Sequence, residues 1–163
     1  MKANLKQILE ESKNKRKENN KFLRKLKLKT PKDLDDQFHE AHDAAFEKVD
    51  CLDCANCCKT TSPIYYDKDV DRMAAHFKMK PVQFFDKYLK IDEEGDQVLK
   101  SAPCPFLMED NKCEAYDSRP KACREFPHTN RKRMVQILDL TATNSRLCPA
   151  VALVIDKMRG AKA

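Results

Sequence analysis

Glycine is nearly missing from this chain: Gly95 and Gly160 are the only two in 163 residues. That scarcity excludes a Gly-rich phosphate loop and the dinucleotide-binding fingerprint, because both need turns and close backbone approaches that only glycine permits. Long apolar runs are missing as well. Mean hydropathy is -0.74, and no stretch approaches the ~18 consecutive apolar residues of a membrane span. The opening MKANLKQILEESKNKR has no continuous apolar core behind its positive start, as an export signal would. A soluble, cytoplasmic protein is the expectation. Cysteine is missing from the first 50 residues, yet eight follow between Cys51 and Cys148, so thiol chemistry belongs to the later part of the chain.

Charge is as uneven as cysteine. Residues 1 to 32 hold twelve Lys/Arg against Glu10, Glu11 and Glu18, a balance of +9, whereas the other 131 residues balance at -3. The excess predicts a basic N-terminal extension, 1–30, followed by a cysteine-cluster domain, 31–160. Residues 1–30 could meet an anionic partner, nucleic acid or an acidic protein, by Coulomb attraction. The plainer reading is a solvated, partly helical arm. Only Phe22 is aromatic there, and base stacking needs aromatic platforms.

The expected fold is α+β and mainly helical: a small irregular cysteine-rich metal-binding domain with a short β-hairpin and an N-terminal helical extension. Leu5, Ile8, Leu9, Phe22, Leu23 and Leu26 give a weak, interrupted helix signal. Thr30 as cap, Pro31 in the first helical position and Asp33 near the positive dipole end predict a helix over about 31–49. Its apolar stripe is Leu34, Phe38, Ala41, Ala45 and Val49. Val70, Met73, Ala74 and Phe77 predict a second helix, and Pro81 opens a third through Leu89. IDEEGDQVL reads as a hairpin turning at Gly95, MVQILDL as a buried strand, and Pro149 as the start of a closing helix. Between them, residues 103–128 pack four prolines and three cysteines into 26 residues, too broken for long regular elements. A metal centre would organise such a segment.

CLDCANCC places Cys51, Cys54, Cys57 and Cys58 at offsets 0, 3, 6 and 7. In a helix, at about 100° per residue, Cys51, Cys54 and Cys58 fall on one side with Cys57 off it. In a turn, each C-x-x-C pair can chelate one ion. Adjacent Cα atoms lie about 3.8 Å apart, below the usual span of an unstrained disulfide, so Cys57 and Cys58 are expected to play different roles. Cys104, Cys113, Cys123 and Cys148 complete the set of candidate metal ligands. Eight thiols supply two four-ligand sites, or one iron–sulfur cluster with supporting cysteines. Four thiolates on zinc or on an iron–sulfur core leave net negative charge, which Arg119 and Arg124 stand nearby in sequence to offset. His39, His42, His76 and His128 are scattered and add little.

At these residues the chain resembles the CxxCxxCC cysteine-cluster family, described as zinc- or iron-chelating. The likeness covers about residues 50 to 128: CLDCANCC, the PCPFL segment around Cys104, and a run holding Cys113, Tyr116, Arg119, Pro120, Cys123, Arg124, Phe126 and Pro127. Cys148 stands as an eighth family cysteine. The resemblance implies an iron–sulfur cluster or zinc as cofactor and leaves any reaction unassigned. Three functions follow as expectations. The first is a metalloprotein whose metal is a folding centre. The second is an iron–sulfur redox enzyme, for which no catalytic residue stands out. The third is a zinc-stabilised binding module that uses its basic arm.

Overall fold

The structure, a computed structural model, describes residues 4–160; Lys2 of the basic stretch lies outside them. In chain order the helices are α1 (Leu5–Asn14), α2 (Arg16–Leu28), α3 (Leu34–Phe46), α4 (Cys51–Cys54), α5 (Asn56–Thr60), α6 (Asp67–His76) and α7 (Pro81–Tyr88). Strands β1 (Leu89–Ile91) and β2 (Gln97–Leu99) follow, then α8 (Lys121–Glu125), α9 (Leu138–Asn144) and α10 (Pro149–Gly160). The protein is a mainly helical α+β structure. Its contacts divide it into two units, one made of residues 1–54 and 127–163, the other of 55–126.

The first unit is all helix. α10 is apolar nearly all round, as a central helix must be: Ala150, Val151, Val154 and Ile155 have no exposed surface. α1 and α3 pack against α10, and α2 packs against α9. The predicted stripe Leu34, Phe38, Ala41, Ala45 and Val49 is buried throughout. Helix α3 is shorter than the expected 31–49, however. Thr30 does not cap it; its hydroxyl donates 2.9 Å to the Leu26 carbonyl at the end of α2, and Asp33 takes the cap position.

The basic N-terminal stretch forms helices more regular than its pattern suggests. The Asn4 side chain accepts the Gln7 N–H at 3.1 Å and caps α1, and α2 buries Leu23 and Leu26. Buried polar groups fix the register against later residues. The Ser12 hydroxyl donates to the Ser145 carbonyl at 2.8 Å, and Arg159 donates to Asn19 at 2.9 Å and Glu18 at 2.8 Å.

MVQILDL is not a strand. Met134–Ile137 is a 3-10 turn that runs into α9. A short apolar run fits either element by periodicity, and the tertiary partner decides. The Asp35 carboxylate accepts the N–H groups of Arg133 and Met134, each at 2.8 Å. It thereby caps a helical start, with Met134 and Leu138 buried four residues apart. Those bonds, Met134's foremost, hold Asp35 below its ordinary value against the opposing effect of burial.

The second unit packs α6, α7 and the β1–β2 hairpin around Met73, Phe84, Leu89, Leu99 and Phe106. The strands pair Leu89 with Leu99, Lys90 with Val98 and Ile91 with Gln97, and the turn needs Gly95 at φ +87. Phe77, Phe84, Tyr88 and Phe106 cluster with ring centroids 4.9 to 6.5 Å apart. Among the described residues, no helix is long and apolar enough to cross a membrane.

Candidate metal centre

All eight cysteines are free thiols. Within CLDCANCC the helical phase does not run through. Ala55 takes φ +47, a left-handed conformation, between α4 and α5, so the 100° arithmetic stops after Cys54. Cys51 and Cys54 end one unit, while Cys57 and Cys58 open the other.

In the second unit, main-chain bonds gather four sulfurs. The Cys104 N–H donates to the Cys58 carbonyl at 2.7 Å, tying α5 to the Pro-flanked loop. A short antiparallel bridge, Leu107 to Cys113, returns the chain past that loop, with the Glu114 N–H on the Phe106 carbonyl at 2.8 Å. Pro120 then starts the turn into α8, where the Cys123 N–H donates to the Pro120 carbonyl at 3.0 Å. Electrostatically these sulfurs see one another. Cys58 raises Cys104, Cys113 and Cys123, and Cys104 and Cys113 both raise Cys123.

Burial is the first cause of each raised thiol. It lifts Cys104 to about 11 and Cys123 to about 12, and it lifts Cys113 against an N–H donated by Ala115. Phe106 and Leu107 likewise donate N–H groups to the Cys104 sulfur. Such donors stabilise thiolate once a cation replaces the proton. Cys58 moves the other way, down to about 7: the Cys57 thiol donates to it, which outweighs burial, and Arg119 helps.

Spacing constrains what could sit there. Among the described residues, the one group of three ligating side-chain atoms mutually within 4.8 Å is Asp92, Glu94 and Asp96, in the hairpin turn. No three sulfurs are that close. Four thiolates at Zn–S ≈ 2.3 Å around one zinc lie about 3.8 Å from each other. The four thiols suit a soft metal such as zinc or iron.

Arg119 is the cation that acts on Cys58, Cys113 and Cys123. Its guanidinium stacks 3.8 Å from the Tyr116 ring and donates to the Tyr116 carbonyl at 2.8 Å. Arg124 donates to the Arg119 carbonyl at 3.0 Å, so it braces the loop that carries Arg119. Sequence reasoning passed over two residues here. Buried Tyr65 lies within reach of the charges of Cys104, Cys113 and Cys123, and burial drives its hydroxyl well above the ordinary value. Asp69 accepts from Arg72 at 2.7 Å and from the Lys121 N–H at 3.1 Å, anchoring the start of α8. Neither belongs to a cysteine motif, and no spacing signal marks them.

The first unit holds its own set. Cys148, at the start of α10, receives the N–H groups of Ala150 and Val151 on its sulfur, although burial still lifts it to about 11; Cys51 and Cys54 act on it through charge. Cys51 is exposed, Cys54 half-buried and Cys148 buried. Three of the histidines already have ring-nitrogen partners. His39 bonds the Arg131 carbonyl at 2.9 Å, His42 the Thr129 hydroxyl at 2.7 Å and His76 the Ser118 hydroxyl at 3.2 Å.

A family model, CxxCxxCC: Putative zinc- or iron-chelating domain, matches residues 50–148. No curated protein and no solved structure matches the chain.

Proposed function

The chain belongs to the zinc- or iron-chelating CxxCxxCC family, and from the placement of its cysteines in the two units we propose that it chelates through two sulfur sets. Cys58, Cys104, Cys113 and Cys123 form a complete four-thiolate set, for which an iron–sulfur cluster is the favoured occupant and zinc the alternative. Cys51, Cys54 and Cys148 form a three-thiolate set. The observation that carries this reading is that Cys58, Cys104, Cys113 and Cys123 lie in one compact unit, inside the family match, on segments tied to one another by main-chain hydrogen bonds.

The metal is a folding centre in this reading. Residues 100–126 contain only a 3-10 turn, Tyr116–Ser118, and the five-residue α8 as regular structure. A structural metal contributes on the order of 10 kcal/mol, enough to order such a segment. Arg119 offsets the negative charge of the thiolates, and backbone N–H groups hold the sulfurs in place. Eight free thiols fit a reducing compartment such as the cytoplasm.

Anaerobic purification with metal analysis and an absorption spectrum tests the reading. Cys58→Ser, Cys104→Ser, Cys113→Ser or Cys123→Ser should each lose the first centre, while Cys57→Ser and Cys51→Ser keep it. Loss of that centre in Cys57→Ser, with Cys58→Ser unaffected, would assign the wrong member of the pair. A colourless protein with one equivalent of zinc bound by all four would select zinc.

A further inference from the structure

Ten of the twelve cations in residues 1–32 are lysines; the two arginines are Arg16 and Arg24. Eight residues apart on α2, they are separated by about 12 Å along the axis and about 80° around it. Both line one cavity of ≈ 310 Å³, together with Asn20 and Lys27 of α2 and Arg146, which follows α9. Leu23 and Leu138, both buried, form part of its wall. Lys27 is paired with Asp139 at 3.3 Å. Among the described residues, no ion pair engages Arg16, Arg24 or Arg146.

Three unpaired guanidinium groups around one concavity repel one another until an anion enters. Arginine, unlike lysine, presents a planar fork that binds phosphate oxygens in pairs. A Lys-dominated arm that places both of its arginines at one cavity, opposite a third from the far end of the chain, is therefore selective in its chemistry. The volume is at the small end for ligand pockets, roughly 300–1,000 Å³. It suits a compact anion better than an extended strand, and no aromatic platform for bases lines it.

We propose that the cavity between α2 and α9 binds a compact phosphate-bearing anion of the diphosphate class, held by Arg16, Arg24 and Arg146. Asn20 adds a neutral donor, and the Lys27–Asp139 pair bounds one end. This site is independent of the thiol sets.

Titration calorimetry of the metal-loaded full chain with inorganic pyrophosphate tests it, with metal content measured before and after to show that the thiol sites kept their ions. Saturable one-site binding is expected. Arg24→Gln or Arg146→Gln should weaken it about tenfold or more, since one charge-assisted bond is worth ~1.5–3 kcal/mol. Arg24→Lys keeps the charge, loses the fork, and should still weaken binding. Lys25→Gln, on the same helix but outside the cavity lining, should change it less than about twofold. Circular dichroism confirms that each variant is folded; Arg24 is exposed, so its replacement leaves the core intact. Equal weakening by Lys25→Gln, or no saturation with millimolar pyrophosphate, overturns the proposal. So does tight binding of single-stranded RNA that pyrophosphate does not displace and Arg24→Gln does not affect.

Discussion

Arg119 acts through its charge on Cys58, Cys113 and Cys123. Stacked on Tyr116 and braced by Arg124, it places a fixed positive charge beside three of the four sulfurs. Arg119→Gln should leave helical content unchanged while metal is lost to a competing chelator several-fold faster, as read by the rate of metal transfer. Arg124→Gln should act more weakly, because it reaches the centre only through the Arg119 carbonyl. Both arginines stand out in the sequence as neighbours of Cys123, whereas the stacking of Arg119 on Tyr116 and the bond from Arg124 to the Arg119 carbonyl depend on the turn from Tyr116 to α8. The adjacency of Cys57 and Cys58 sets an expectation of different roles, whereas the bond from the Cys104 N–H to the Cys58 carbonyl depends on the fold.

Among the elements, α6 and α8 are joined by one carboxylate. Asp69 is 3% exposed and accepts from the Tyr66 N–H at 2.9 Å as well as from Arg72 and Lys121. Burial pushes its carboxyl up, but these donors together hold it below the ordinary value of 3.8. The folded state therefore gains stability from this group above the unfolded-chain value of about 3.9, and that gain is lost as pH falls through the lower folded value. Asp69→Asn should flatten the acid limb of the stability curve below about pH 4, measured by denaturant unfolding at several pH values. Asp69→Ala should cost about 3 kcal/mol at neutral pH, because it strands a partly buried arginine and two N–H groups. In the helical unit, Phe38 has no exposed surface. Phe38→Ala should cost about 3–5 kcal/mol, seen as a lowered midpoint of the same unfolding curve. Helices α3, α6, α7 and α10 and the hairpin could be read from apolar spacing and proline placement. The turn and helix at Met134–Asn144 could not, because seven residues of MVQILDL fit a strand equally well until Asp35 supplies the cap.

For the whole molecule, the division into two units predicts an uneven response to metal removal. Hydrogen exchange of chelator-treated protein should show loss of protection concentrated in residues 100–126, where main-chain order depends on turns around the sulfurs. α3 and α10, packed on each other through a helical core, should retain most of theirs. Uniform protection across residues 100–126 with and without metal would mean that the aromatic cluster alone holds the second unit.

The sequence by itself determined that the protein is mainly helical, that its cysteines follow the pattern of a zinc- or iron-chelating family, and that its first 32 residues are basic. Each of these follows from composition and local spacing, which need no knowledge of distant contacts. Only the tertiary structure decided which cysteines share a compact unit, that Arg16, Arg24 and Arg146 face one cavity, and that the basic stretch buries Leu23 and Leu26. Those outcomes depend on residues up to 141 positions apart, such as Glu18 and Arg159, meeting through packing that a linear pattern does not encode.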